Sequence, residues 1–283
     1  IPPEPEDENS SLHPSAQMDR PHIIYNKATK KYVCWLKIMH KDGTQDETVL
    51  TADRFLGPYT KVREGLRPLN MSAGDFDLVV APDGKAYYMF ERVHSETIIA
   101  DLTDDYTDVT GYYSTHFPHP YPPYVREATA HFMRNGKHYL ITSGTTGYLP
   151  NPSEVAVADT WHGPYTVLGN PHPGDETDTS YHSQISSVFK VPGKKDLYIA
   201  CADRWLPNAM DKDYHVYKKM FEAIFSGKKE EFDFSSMGEP VVEETRIADY
   251  VWLPLRFVEP CEEYPNGMVF VDWKDEWRIE DYE

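Results

Sequence analysis

Apolar positions along the chain come in short runs, and the runs come in pairs. Pro-His-Ile-Ile-Tyr at 21–25 is followed by Lys-Tyr-Val-Cys-Trp at 31–35, and Phe-Asp-Leu-Val-Val at 76–80 by Lys-Ala-Tyr-Tyr-Met-Phe at 85–90. Thr-Ala-His-Phe at 129–132 precedes Lys-His-Tyr-Leu-Ile at 137–141, and Ile-Ser-Ser-Val-Phe at 185–189 precedes Asp-Leu-Tyr-Ile-Ala at 196–200. Runs of this length, rich in aromatic and β-branched residues, predict strands. The breaks between them carry turn residues: Asn-Lys-Ala-Thr at 26–29, Pro-Asp-Gly at 82–84, Arg-Asn-Gly at 134–136 and Pro-Gly at 192–193. Tyr32, Tyr87, Tyr139 and Tyr198 mark a period of about 50 residues. Ala-Asp pairs at 52–53, 100–101 and 158–159 are a second anchor, and two of them run on into Leu-Gly-Pro-Tyr at 56–59 and His-Gly-Pro-Tyr at 162–165. Each unit thus reads as strand, turn, strand, loop, strand, turn and a weaker fourth strand.

Four-stranded units at this period predict an all-β fold, a β-propeller, in which each blade buries its faces against its neighbours. Residues 1–19, rich in Pro, Glu, Asp and Ser, read as an extended N-terminal arm or the remnant of a blade, and 20–283 as a single propeller domain. The fourth unit is interrupted at 208–232. There Tyr214, Tyr217, Met220, Phe221, Ile224 and Phe225 have helical spacing and predict a short inserted helix; the strands resume at 250–255 and 268–273. Lys228, Lys229, Glu230 and Glu231 read as its solvated end. The first strand of a blade runs nearest the axis, so the residues just before the four first strands face the central funnel: Arg20, Asp75, Glu127 and Gln184. Taken singly each is equally well an ordinary loop polar residue; all four share one phase of the repeat.

Composition narrows the partners. With 28 basic against 46 acidic residues the formal charge is -18, which argues against nucleic acid, since phosphate binding needs a positive surface. The charge suits a neutral sugar and equally suits plain solubility. Cys34, Cys201 and Cys261 form no metal-binding spacing and no complete disulfide framework, and the first and second sit in strand-like runs as small core residues. No stretch approaches membrane-spanning length. No signal peptide is visible, and the chain begins at Ile1; the expectation is secretion or the periplasm if a leader was removed, otherwise the cytoplasm.

Two carboxylic acids at one funnel suit glycoside hydrolysis, where one acid must stay protonated for the leaving oxygen. Glu127 is the stronger acid candidate. Its neighbours Tyr124, Val125 and Ala128 raise a carboxyl pKa, while Arg126 lowers it if the two pair. Asp75 follows Gly74, which permits close backbone approach, and Asp77 is its local rival. Tyr148 and Trp205 read as sugar-stacking platforms or as ordinary loop aromatics. His182, two residues before Gln184 and on the same strand face, reads as a ligand to a water or a central ion, or as a satisfied buried histidine. The aromatic, proline-rich run at 116–124 leads directly into Glu127 and suits a pocket wall or an inter-blade crossing.

Arg-Pro-His-Ile-Ile-Tyr-Asn at 20–26, Asp-Gly-Lys-Ala-Tyr at 83–87, Ala-Asp-Leu-Thr-Asp-Asp-Tyr at 100–106, Arg-Glu-Ala at 126–128, Asn-Gly-Lys-His-Tyr-Leu-Ile-Thr-Ser-Gly at 135–144, Ser-Gln at 183–184 and Asp-Glu-Trp-Arg-Ile-Glu-Asp at 275–281 together resemble glycoside hydrolase family 43. The similarity is to the branch of exo-β-1,3-galactanases and related α-L-arabinofuranosidases, and it covers nearly the whole chain from Arg20. It implies a five-bladed propeller and inverting hydrolysis, with Glu127 as general acid and Asp75 as the aspartate that orients the acid and tunes its pKa. It also implies that Gln184 holds the attacking water in place of the usual base. Arg20, Glu91 and Arg126 would contact sugar hydroxyls or hold the carboxylates. The family's first blade, with its basic aspartate, is not in this chain, so four blades are expected here, and Glu91 is displaced from the glutamate that galactanase-like members carry. The expected activity is removal of terminal L-arabinofuranose or galactose-type residues from a plant polysaccharide such as an arabinogalactan. The partners expected are an oligosaccharide or polysaccharide and neither nucleic acid nor membrane. The protein is expected to be a monomer without a metal site or cofactor, a calcium or sodium ion in the central channel aside. The alternative is a non-catalytic carbohydrate-binding propeller lacking the base-bearing blade.

Overall fold

A computed structural model describes every residue except Pro240. The chain divides into two compact units, Ile1–Pro118 and His119–Glu283, and four four-stranded antiparallel sheets, two in each unit, form the blades of an all-β, propeller-class fold. The fifth blade implied by the family pattern is not among the described residues.

In the first unit β1 (Gln17–Asn26), β2 (Lys31–Met39), β3 (Gln45–Ala52) and β4 (Thr60–Leu66) form one sheet in chain order, and β5 (Ala73–Val80), β6 (Ala86–Arg92), β7 (Glu96–Leu102) and β8 (Val109–His116) form the other. The two share a core of Trp35, Val49, Phe76, Tyr88, Phe90 and Ile98. The Trp35 and Tyr88 rings lie 4.8 Å apart, and the Trp35 indole N–H donates to the Tyr106 carbonyl at 2.9 Å, so the largest buried ring leaves no orphaned donor. The opposite face of the first sheet, with Cys34, Leu36, Ile38 and Leu50, is covered by Leu12 and Tyr59. The N-terminal arm is held there by polar contacts. The backbone N–H of Ser11 donates to Glu64 at 2.7 Å, and Lys61 donates to Glu4 at 2.7 Å and to Glu64 at 2.8 Å. The first strand begins at Gln17, inside the segment expected to be the arm.

The second unit repeats the plan. β9 (Arg126–Arg134), β10 (Lys137–Gly144), β11 (Glu154–Ala158) and β12 (Thr166–Gly169) form one sheet. β13 (Gln184–Lys190), β14 (Tyr198–Arg204), β15 (Asp249–Val258) and β16 (Met268–Val271) form the other. Ala130, Phe132, Ile141, Val155, Ala200 and Leu253 are buried between them, and the C-terminal Trp277 and Tyr282 pack on the far side against Leu197, Ile199 and Cys201. Between β14 and β15 lies α1 (Tyr214–Phe225), capped by the Asp213 carboxylate, which accepts from the His215 N–H at 2.8 Å. The helix is fastened to loops of its own unit: the buried Tyr217 hydroxyl donates to the Pro150 carbonyl, and the Tyr124 hydroxyl donates to the Glu222 carboxylate.

The repeat extends to side-chain contacts. Tyr59 and Tyr165, each closing a Gly-Pro-Tyr turn, donate to the carbonyl four residues back, Phe55 at 2.8 Å and Trp161 at 3.1 Å. Lys31–Asp53 and Lys137–Asp159 pair identically across two sheets. Cys34 and Cys201 are buried free thiols, and burial pushes the Cys34 thiol up to about 11.

Every first strand carries a β-bulge at its entrance. Arg20 and Pro21 stand opposite Leu36 alone, Gly74 and Asp75 opposite Glu91, and Ala128 and Thr129 opposite Thr142; Ser186 is the extra residue of β13. A bulge turns the strand and re-aims the side chains beside it. Arg20 and Ala128 meet it in the left-handed region, both at φ 51°, a costly conformation for a residue with a Cβ.

The second unit also buries a histidine pair, His131 and His138, with ring nitrogens 3.1 Å apart and Trp161 stacked on His131 at 4.9 Å. Burial, and then the neighbouring imidazole, push the His131 pKa down to about 3, and burial pushes that of His172 down to about 4. Below the unfolded value of about 6.5 the unfolded chain takes up protons that the native state refuses, so stability present above pH 6.5 is lost as pH falls toward 3. Urea unfolding is expected to show a loss of about 2 kcal/mol from His131 alone between pH 7 and pH 5. His131→Phe, which keeps the stacking on Trp161, shrinks that loss; an unchanged pH dependence refutes the assignment.

Candidate functional site

In the first unit the chemistry gathers on Asp75, which is 9% exposed. Its carboxylate accepts from the Arg20 guanidinium at 2.7 Å and from the Lys37 ammonium at 2.6 Å, and Asp19 stands 3.5 Å from the same lysine. Burial pushes the Asp75 pKa up, but Arg20 and Lys37 outweigh it and hold the carboxyl far below the ordinary range. Burial likewise pulls Lys37 down, and Asp75 and Asp19 more than reverse it, so the ammonium is held charged. Asp75 is therefore a permanent anion with no proton to give. Asp77, its rival, is 4% exposed and lies 3.2 Å from the His22 imidazole. Behind Lys37 sits Glu47, fully buried, with one oxygen receiving the Tyr88 hydroxyl at 2.7 Å and the other without a partner among the described residues. Burial pushes its pKa well up against the pull of Tyr88 and Lys37.

Gly74 has its own reason. A Cβ there would lie 2.0 Å from a carboxylate oxygen of Glu91. Glu91, 2% exposed, fills that space and accepts from the His94 backbone N–H, closing the hairpin between β6 and β7. Glu91, expected to contact a sugar hydroxyl or hold a carboxylate, is instead buried with one carboxylate oxygen on the His94 N–H of its own hairpin.

In the second unit Glu127 stands directly opposite Ser143 in the β9–β10 register. The Gln184 amide nitrogen donates to Ser143 Oγ at 2.8 Å and reaches Glu127 Oε1 at 3.4 Å, while its amide oxygen accepts from the Trp205 indole N–H at 3.0 Å. An inverting base stands roughly 6.5–9.5 Å from the acid, to leave room for water. Gln184 lies closer to the acid than that separation, as a neighbour of Glu127. Arg126 is turned from the site it was expected to serve: it donates to Thr142 Oγ1 at 3.0 Å and to the Thr142 carbonyl at 2.7 Å. Arg20, by contrast, is on a carboxylate, as described for Asp75.

The backbone before Gln184 is wound left-handed. Ser180, Tyr181 and His182 have φ of 56°, 58° and 55°. Asp175 braces the turn by accepting from the N–H groups of Thr179 at 2.7 Å and Tyr181 at 3.1 Å, and Arg204 donates to the Tyr181 and His182 carbonyls at 2.9 and 3.3 Å. His182 therefore lies in a turn rather than on the strand face of Gln184, which corrects that placement. It lines a cleft with Tyr148, Asn151, Gln184, Asp203 and Trp205, and its buried Nδ1 lacks a partner among the described residues. Tyr148 and Trp205 meet edge to face, 5.8 Å between ring centroids.

Sequence reasoning missed Lys37, Glu47 and Ser143. A lysine inside the apolar run of β2 was the available signal for the first. The other two became visible only through strand register.

The comparisons agree with this architecture. The profile of glycosyl hydrolases family 43 matches residues 17–217. No curated protein sequence matches the chain. Among solved structures, a family 43 β-1,3-galactosidase with galactodeoxynojirimycin is similar at 25% identity and a TM-score of 0.74, over 97% of this chain and 80% of its own. A second β-1,3-galactosidase of the family is similar at 25% identity and a TM-score of 0.73, over 99% of this chain and 50% of its own. An exo-β-1,3-galactanase from Phanerochaete chrysosporium with β-1,3-galactotriose shares the fold at 22% identity and a TM-score of 0.65, over 88% of this chain and 49% of its own. A profile match across most of the chain, on a frame of four-stranded blades with a carboxylic acid at the mouth of two first strands, makes this chain a member of glycosyl hydrolase family 43, a glycosidase.

Proposed function

We propose that the protein removes terminal galactose-type residues from a β-1,3-linked galactan or its oligosaccharides, by inverting hydrolysis, with Glu127 as the acid that protonates the leaving oxygen. The observation that carries the acid assignment is the contrast between the two carboxyls. Asp75 is clamped between two cations and has no proton to donate, whereas Glu127 has the Gln184 amide nitrogen 3.4 Å from Oε1 and stands opposite Ser143 in the strand register. General acids must hold a proton near the working pH. The resemblance gives Asp75 the part of orienting the acid and tuning its pKa, and its paired carboxylate is a fixed negative charge suited to that part. The sugar is supported by two β-1,3-galactosidases at 25% identity. The aromatic cleft of Tyr148 and Trp205 supplies the apolar faces that sugar rings stack on.

Glu127→Gln is expected to cut turnover of an aryl β-D-galactoside and of β-1,3-galactobiose by about 10³-fold. Equal turnover by the variant sinks the acid assignment, and turnover of an aryl α-L-arabinofuranoside but not the galactosides moves the substrate to arabinofuranose. Proton NMR of the first-formed product is expected to show α-galactose from a β-galactoside; β-galactose as the initial product means retention. Asp75→Asn leaves Arg20 and Lys37 buried without their anion. It is expected to lower stability to urea by about 3–5 kcal/mol as well as to reduce turnover, and an unchanged urea midpoint contradicts the clamp.

A further inference from the structure

We infer that Trp205 is a positioning residue for the acid, acting through the Gln184 side chain, rather than a stacking platform alone. The inference rests on the reading of Glu127 as general acid. An indole N–H only donates, so the atom of Gln184 lying 3.0 Å from it must be the amide oxygen. The opposite amide orientation would set two donors against each other. With the oxygen committed to Trp205, the amide nitrogen is forced toward Ser143 at 2.8 Å and Glu127 Oε1 at 3.4 Å. Ser143 holds the nitrogen from the strand opposite Glu127, so the amide is gripped at both ends and Gln184 is 8% exposed.

This sets where the acid's proton sits. A neutral carboxyl has one hydroxyl and one carbonyl oxygen, and an N–H donor faces the carbonyl oxygen. Gln184 therefore marks Glu127 Oε1 as the acceptor, and the proton for the leaving oxygen is on Oε2. Loss of the Trp205 N–H frees the amide to turn over, which offers Glu127 Oε1 an oxygen and favours the unproductive placement of the proton. The loss falls on the chemical step and leaves sugar binding to the ring.

The test is a double-mutant cycle on the full chain with an aryl β-D-galactoside: Trp205→Phe, Gln184→Ala and the two combined, with Glu127→Gln alongside. Trp205→Phe keeps an aromatic face and removes only the donor. It is expected to lower kcat about tenfold with KM within about twofold, the scale of one lost hydrogen bond. It is expected to cost nothing more once Gln184 is Ala, because residues that act through one another are non-additive. A Trp205→Phe enzyme with unchanged kcat, a change confined to KM, or a kcat loss that persists in full on the Gln184→Ala background overturns the inference. If thermal unfolding shows that Trp205→Phe does not fold, Ser143→Ala, which releases the other end of the amide, is put through the same cycle with the same expected kcat loss and non-additivity. Wild-type activity in Glu127→Gln would refute the acid reading instead, independently of how the Trp205 cycle turns out.

Discussion

A strand alternates its side chains between two faces, and every blade of this protein is bound by that period of two. The apolar residues of a first strand must stay in phase with their sheet, yet a polar residue at its entrance must be aimed elsewhere. One extra residue resolves the conflict by shifting the phase beside the entrance. All four first strands contain such a bulge. Where Arg20 and Ala128 carry it, the backbone is left-handed, a local cost that the packed sheets on either side sustain. The chemistry of the protein is thus attached to its core through four irregularities of the same kind.

The two units spend this device differently. In the first, the entrance residues are charged and buried, and they are paired: Arg20 and Lys37 against Asp75, with the buried Glu47 behind them. Such a cluster is rigid because removing any member exposes an uncompensated charge to a poor solvent. In the second, a network of indole, amide and hydroxyl runs from Trp205 through Gln184 to Ser143 and Glu127.

The blade plan was legible in the chain because paired aromatic runs, turn residues and a fixed period all repeat, and the register of Tyr32, Tyr87, Tyr139 and Tyr198 follows them. Within Arg20, Asp75, Glu127 and Gln184, the structure pairs Arg20 with Asp75 and Gln184 with Glu127, each inside its own unit. Their other partners were not legible. Lys37 and Ser143 belong to second strands, and which residue of a second strand faces an entrance depends on the bulge, which no alternation pattern reveals. His182 was misplaced because three successive left-handed residues without glycine run against local preference and are imposed by Asp175 and Arg204. Glu91 and Arg126 look like ligands in sequence, but the structure sets them on backbone and side-chain groups of their own strand pairs.

The excursion that carries α1 has a kinetic meaning. Three sheets are built from neighbouring strands joined by short connections, so they close locally and quickly. In the fourth, β15 returns to β14 only after the chain from Trp205 to Ala248 has been laid out, and the entropy of closing a loop rises with its length. The hairpin of β13 and β14, which begins at Gln184, forms without waiting for that return. The pairing of β15 with β14 therefore carries the longest loop closure within its sheet.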